Sequence, residues 1–540
     1  MQADRYDAII MGAGHNGLVC GARLAKAGVR TLILERRSIV GGACVTEEVW
    51  PGYHVSTTSY VLSMFPDKIV RELELKRFGF ELIPTDSLFI PYEDGTAMVM
   101  WNDQRQTCAE IAKFSPRDAE RFPEYSAYLG RAADFVRDIV WKTAPGKLDT
   151  RAMRDAAWVA WRLKKMGREA FQFVDLMTMS IYDFLSKWFE SDKLIAALGY
   201  MGSIGTFKGP KTPGSAYVLL HHNISEHEGA GGWGFVRGGM GGLSEALRRS
   251  AEHHGATVLT DAEVARVDIR GDRAVGVTLA NGDSYRADQV VSNADPKTTY
   301  LRLVGREHLT PELVGEVESF DTFSTAFKIN FALDGLPTYP AWDTAHGPAP
   351  SYAHIGPSVA YLEHAYDDAK YGQASTWPWV SPVIPTLADP ALAPEGKHIM
   401  NAFGGHAPYS LADGEWTEER REAFADRVVA AIERFAPDLS DHIIERQILL
   451  PVDLERIYGL PQGHIFHGEL SLDQLYVLRP VPGYADYRTP LKDLYLCGSG
   501  VHPGGGVFGV PGYNAASEIL RDRRTSRLTS RFRPAGSRGR

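Results

Sequence analysis

The chain has 540 residues, of which 44% are apolar and 23% charged, with a formal net charge of −9. This balance excludes an intrinsically disordered, collagen-like or disulfide-stapled chain, and the acidic body offers nucleic acid no general attraction. At about 150 residues per domain, the length suggests three to four units.

The polar lead Met1 to Asp7 runs directly into a strand, with no basic n-region or signal-peptide h-region. No run of eighteen apolar residues follows anywhere in the chain, so no spanning helix is predicted and the expected location is cytoplasmic. Tyr6 to Met11 (YDAIIM) predicts the first strand and is followed at once by Gly12-Ala13-Gly14-His15-Asn16-Gly17. A helical pattern then carries Leu18, Val19, Ala22, Leu24 and Ala25 and stops at Gly28, and Val29 to Leu34 predicts a second strand ending in Glu35.

Strand, glycine turn, helix, strand and acid stand in the order a dinucleotide site requires. Gly12 permits the tight turn, Gly14 lets backbone approach a pyrophosphate, and Gly17 allows the helix to pack closely on the strand. The helix N-terminus adds partial positive charge, and Glu35 is placed to accept hydrogen bonds from ribose hydroxyls. A lone glycine motif would leave NAD and FAD open. After Glu35 come Arg36 to Val40 and then Gly41-Gly42-Ala43, an extension that resembles the long βαβ signature of flavoproteins and points to FAD.

Cys44 stands where disulfide oxidoreductases place the first cysteine of a redox pair, but Val49 holds the second position. A single thiol there cannot form the internal disulfide that such chemistry needs. The other cysteines, Cys20, Cys108 and Cys497, are too scattered for a disulfide framework or a CxxC zinc site, which fits a reducing compartment.

Residues 67 to 234 read as mixed and then largely helical, punctuated by Pro116, Pro123 and Pro145. Within them, 151–168 interleaves Trp158, Trp161 and Met166 with six Arg and Lys, the pattern of a helix covering the substrate domain or lying on a membrane surface. Gly238 to Gly242 is glycine-rich, but its spacing is wrong for a second dinucleotide turn, so a separate NAD(P)H domain is not expected. Leu243 to His254 predicts a helix, with strands at Ala256–Leu259 and Glu263–Val267 and hairpin turns at Gly271-Asp272 and Asn281-Gly282.

Further on, Phe323, Thr325, Phe327, Ile329 and Phe331 alternate with Ser324, Ala326, Lys328 and Asn330, which predicts a strand with one apolar face. A last strand, Leu491 to Leu496, leads into the glycine-dense turn Cys497 to Gly512 and a helix from about Tyr513 to Leu520. The histidines His221, His222, His464, His467 and His502 have no acidic or cysteine partner at ligand spacing, so no metal site is expected. Residues Arg521 to Arg540 hold eight Arg and one Asp, or +7, leaving −16 on the rest, and read as a solvated disordered end from 523 onward.

Three stretches together, the N-terminal GAGHNG with its E-x5-GG, the central FVRGGMGGLSEAL and the C-terminal LYLCGSGVHPGGGVFGVPG, resemble the carotenoid and retinoid oxidoreductases, the phytoene desaturase-like FAD family. The likeness spans nearly the whole chain and is closest to the subgroup named for a pyridine nucleotide-disulfide oxidoreductase domain, a name that Val49 fits poorly.

The resemblance implies an α/β fold with a Rossmann-like FAD-binding domain in three separated segments, 1–66, 235–299 and 481–522. The intervening 67–234 and 300–480 would form an α+β substrate domain with a mixed or antiparallel sheet and a helical cap. It assigns Gly12, Ala13, Gly14, His15, Asn16, Gly17, Glu35, Arg36, Gly41, Gly42 and Ala43 to adenosine and diphosphate, Val264 to adenine, and Gly498, Gly500, Gly512 and Asn514 to the ribityl chain and flavin ring. No catalytic residue is identified. The implied reaction is dehydrogenation of an apolar or amphipathic small molecule, with oxygen or a quinone rather than NAD(P) as acceptor. Rival readings are a flavin amine oxidase, a desaturase-like isomerase, and an FAD-stabilised binding or regulatory protein.

Overall fold

In the computed structural model, residues 5–147, 149–224 and 233–531 are described, the last five by backbone alone. Strand β1 (Arg5–Met11) opens the fold, followed by helix α1 (His15–Lys26) and strand β2 (Thr31–Leu34). A helical layer comes next: α2 (Pro116–Val140), α3 (Thr150–Met166), α4 (Glu169–Thr178) and α5 (Ser215–His222). The chain then returns with α6 (Gly241–His253) and strands β3 (Thr257–Leu259), β4 (Val264–Arg270), β5 (Arg273–Leu279) and β6 (Ser284–Ser292). After it come β7 (Phe327–Leu333), β8 (Val380–Val383), β9 (His398–Gly404), α7 (Glu418–Glu433) and β10 (Ile443–Leu449), and the chain closes with β11 (Leu494–Leu496) and α8 (Val510–Arg531).

The main sheet has seven strands in the order β4-β5-β6-β1-β2-β3, with β11 also paired to β6. Pairs β1/β6, β1/β2, β2/β3 and β6/β11 are parallel, and the β4–β5–β6 meander is antiparallel. One sheet therefore draws on three distant stretches of chain. Its parallel strands are apolar on both faces, as burial between helix layers demands: Ala8, Ile9, Ile10, Leu32 and Ile33 have no exposed surface. Helices α1, α6 and α8 share one core with this sheet.

The second sheet is antiparallel, in the order β8-β9-β7-β10. Phe327, Ile329 and Phe331 pack against Phe424, Val428 and Ile432 of α7, so the apolar face read from the alternation is a core. The opposite face is not solvated: Lys328 and Asn330 are just as buried, against the chain at Ser56 to Thr58.

Two expectations change. Pro123 does not interrupt the helical layer but lies inside the 25-residue α2, where burial of Phe122, Tyr125, Tyr128 and Leu129 outweighs one missing rung. The basic end is helical up to Arg531 rather than disordered from 523, because Arg523 ties it to Asp7 and Gln289. Residues 532–540 lie outside the described residues.

Candidate functional site

The site starts where β1 runs out. Gly12 has φ +97°, a conformation few other residues adopt, and a side chain on Gly17 would come within 2.2 Å of Gly12 O. The turn therefore has its sequence-predicted form, with Gly14 as the N-cap of α1. Glu35 is buried, with Oε2 accepting from Ala13 N at 2.9 Å and Oε1 from Arg37 N at 3.0 Å. Gly41 donates to Ala13 O at 2.9 Å, and a Cβ on Gly42 would approach Gly14 Cα at 3.4 Å. Both glycine stretches thus meet over one turn, a bare-backbone cradle beside a carboxylate and a helix N-terminus. This fits the adenosine diphosphate half of FAD.

The later segments close on the same turn. Asn16 Nδ2 donates to Ser499 Oγ at 3.1 Å, while its buried Oδ1 has no partner and is free for a bound group. His15 Nε2 lies 3.0 Å from Gly506 O, which makes that nitrogen the donor, and burial lowers the ring's pKa to about 4. Gly498 packs on Asn293 O, Gly500 on Pro296, and Gly512 on Asn16 O. Ala262 N reaches Glu35 O at 2.8 Å, placing Val264 two residues from the contact with the acid.

Two residues assigned from the resemblance are also tied elsewhere in the fold. Arg36 reaches the carbonyls of Arg456 and Ile457, and the Asn514 amide donates to Val140 O and Tyr487 Oη, both at 2.9 Å. Asn293 was missed. Its backbone N–H bonds Met11 O, and its side chain lies against the positions a Cβ would take on Gly12, Gly14 and Gly17. It follows a strand as an ordinary polar residue, so only the pairing of β6 with β1 brings it there.

A cavity opens beside His15, Ala43, Gly506 and Val507. Tyr60, Val61, Met64, Ile204, Trp233, Phe327, Phe403, Leu454, Ile465 and Phe466 make most of its wall apolar. Two polar side chains stand out in it. Lys328 donates to Ser56 O and Thr58 O at 3.1 and 3.0 Å and lies over the Tyr60 ring, and burial drives its pKa well below the usual lysine value. His222 donates through Nδ1 to Val218 O at 2.8 Å, leaving Nε2 unprotonated, and burial lowers its pKa to about 4. No carboxylate is among the described residues lining the cavity. His502 is not among them either; its ring faces Ile139 O at 3.4 Å and Tyr476.

Behind this wall lies a buried charge cluster. The Glu469 carboxylate pairs with Lys208 Nζ, accepts from Phe207 N and Leu470 N, and lies 3.7 Å from His464 Nε2. Burial alone would raise its pKa, but Lys208 and His464 outweigh this and hold it at about 2. The stability so gained is complete above the unfolded carboxyl range, near pH 4.5, and is lost as pH falls from there toward 2. At about 1.4 kcal/mol per unit it amounts to about 3 kcal/mol. Urea titrations at pH 3 and pH 6 are therefore expected to show a smaller loss at low pH for Glu469→Gln than for wild type; equal slopes would deny Glu469 this role.

Comparisons with known proteins agree with this geometry. Residues 17–520 match the family described as flavin containing amine oxidoreductase. Pyridine nucleotide-disulfide oxidoreductase domain-containing protein 2 of Rattus norvegicus is 41% identical, covering 96% of this chain and 94% of that protein. A limonene dehydrogenase subunit from Castellaniella defragrans is 28% identical, covering 96% and 95%. A solved structure of a putrescine oxidase triple mutant superposes with a TM-score of 0.61 at 14% identity, covering 97% of this chain and 99% of that one, a likeness of fold.

Proposed function

Because the chain belongs to the flavin containing amine oxidoreductase family and is an FAD-dependent oxidoreductase, we propose that it dehydrogenates an apolar or weakly amphipathic small molecule and passes the electrons to oxygen or a quinone. The observation that carries this is the cavity wall, aromatic and aliphatic apart from a few hydroxyls, Lys328 and two histidines. Among the described residues an ammonium substrate would meet a lysine there and no carboxylate, which favours an apolar substrate over an amine. The limonene dehydrogenase relative, alike along nearly its whole length, is named for a hydrocarbon. Phytoene desaturase-like specificity for long polyenes is one form of the same proposal.

When bound, FAD supplies the hydride acceptor. The protein's part is to hold the apolar substrate in register, exclude water, and place a proton acceptor nearby. His222 Nε2 is suited to that last task, because its other nitrogen is fixed as a donor to Val218 O. Loss of one hydride and one proton from a C–H pair leaves the substrate with a new double bond and neutral overall.

The test is an anaerobic absorbance titration of the holoprotein with fractions of an apolar lipid extract. Bleaching of the flavin band near about 450 nm, reversed on admitting oxygen or a quinone, is the expected result. Bleaching by primary amines instead would establish the amine oxidase reading. A band that no fraction bleaches would overturn the proposal in favour of an isomerase or a binding protein.

A further inference from the structure

Apolar surface also collects on one helix pair of the helical layer. Met153 and Trp161 on α3 and Phe171 and Val174 on α4 are exposed, Phe171 by 76%. The inner faces of both helices pack on α2, where Phe135 stacks on the half-buried Trp158 and meets the half-buried Phe173 edge-on. On α3 the outward residues Met153, Ala156, Ala157, Ala160 and Trp161 recur at helical spacing, so this is a second apolar stripe beyond the one that holds the helix in place.

The charges around the stripe are sorted. All three acidic side chains in 150–178 are paired: Asp155 with Lys142 and Arg151, Glu169 with Arg131, and Asp175 with Lys187. Arg151 and Arg162 likewise point to Glu518 and Asp138. Arg154, Lys164, Lys165 and Arg168 remain exposed without an ion pair among the described residues, and Lys165 lies 3.9 Å over the Trp161 ring.

We propose that this face of α3 and α4 docks on an anionic phospholipid bilayer, with Trp161, Phe171 and Val174 entering the headgroup boundary and the four cations lying among lipid phosphates. Apolar and aromatic side chains ringed by unpaired cations match an interface that is negative outside and apolar a few ångströms within. A second copy of the chain fits less well, because a two-fold contact would set the same cations against each other. Helix α5 connects this helix pair to the cavity. The last turn of α4 bonds to the chain entering α5, through Gly214 N to Thr178 O, and α5 ends at His222 in the cavity wall. Docking there would present the cavity to lipid-dissolved substrates; this consequence rests on the proposed function, whereas the docking does not.

The test is co-sedimentation of the full-length holoprotein with extruded vesicles of phosphatidylcholine alone or with about 30 mol% phosphatidylglycerol. Partitioning onto the anionic vesicles is expected, released as salt rises from about 0.05 to 0.5 M. Lys164→Glu with Arg168→Glu should lower the partition coefficient at least about twentyfold, at roughly fivefold per cation removed. Phe171→Ser should weaken binding while leaving flavin absorbance intact, which shows that the variant is folded. Wild type that ignores both vesicles, or variants that bind as wild type does, would overturn the proposal. So would a concentration-dependent dimer that Phe171→Ser abolishes.

Discussion

Arg479→Leu is expected to destabilise the protein by about 3–5 kcal/mol and to release its flavin in the same step. Arg479 has no exposed surface. Its Nη1 donates to the carbonyls of Glu469 and Gln474 at 3.0 and 3.2 Å, and its Nη2 to those of Phe466, Gly468 and Ser499 at 2.8, 3.2 and 3.1 Å. One planar fork thus gathers the cavity loop 466–474 and fastens it to the turn beside Gly498 and Gly500. Leucine would leave five buried carbonyls without this donor, at about 1–3 kcal/mol for each that finds no other. Part is offset because burying a guanidinium is itself unfavourable, as its pKa lowered to about 10 shows.

Arg479→Lys should restore less than half the loss, since an ammonium carries its donors on a single atom and cannot span both sides of the loop. The measurements are urea midpoint and flavin absorbance after gel filtration. A leucine variant that keeps both would show that the loop and the turn hold together without the fork.

Gly512→Val should be equally damaging for the opposite reason, excess atoms. A Cβ on Gly512 would stand 2.0 Å from Asn16 O and 2.8 Å from Asn16 C. Both are backbone atoms of the first turn of α1, so no side chain can rotate away. The helices must part by more than 1 Å, and overpacking of this kind costs about 1–3 kcal/mol or more. Separation would also break the Asn16–Ser499 hydrogen bond and tilt the helix N-terminus away from the diphosphate cradle. Loss of bound flavin is expected even where circular dichroism shows a folded chain. Gly315→Ala is the control, since a Cβ there meets nothing within 4 Å and should be neutral or mildly stabilising. Flavin retained by Gly512→Val would show that α1 and α8 need not touch for the cofactor to stay.

What the sequence made legible is local. Tyr6 to Glu35 carries its own periodicity, turn glycines and terminal acid, and it folds as read, within two or three residues at each end. The C-terminal glycine turn was legible for the same reason. Lys328 was not, because alternation in 323–331 separates two faces without saying what covers the second. Here Ser56 to Thr58, about 270 residues earlier, covers it. Arg479 was hidden because its hydrogen-bond partners are backbone groups, which carry no residue identity, and Glu469 because half of its partners are backbone and its side-chain partner Lys208 lies 261 residues away. The tie of Arg36 to the carbonyls of Arg456 and Ile457 was hidden for the same reason, since they lie more than 400 residues away.

The three-piece sheet also sets a timetable for synthesis. Strand β6 pairs with β1 along one edge and offers Val290 to Ser292 to β11 on the other. At ribosomal rates of about 5–20 residues per second, the roughly 200 residues from Ser292 to Leu494 take about 10–40 s to emerge. Throughout that interval the nascent chain exposes an apolar strand edge and a half-built cradle, the very features that invite aggregation. A messenger truncated anywhere before codon 494 would therefore yield a chain whose sheet lacks its last strand, so clearance by proteases rather than partial activity is the expected fate of such products.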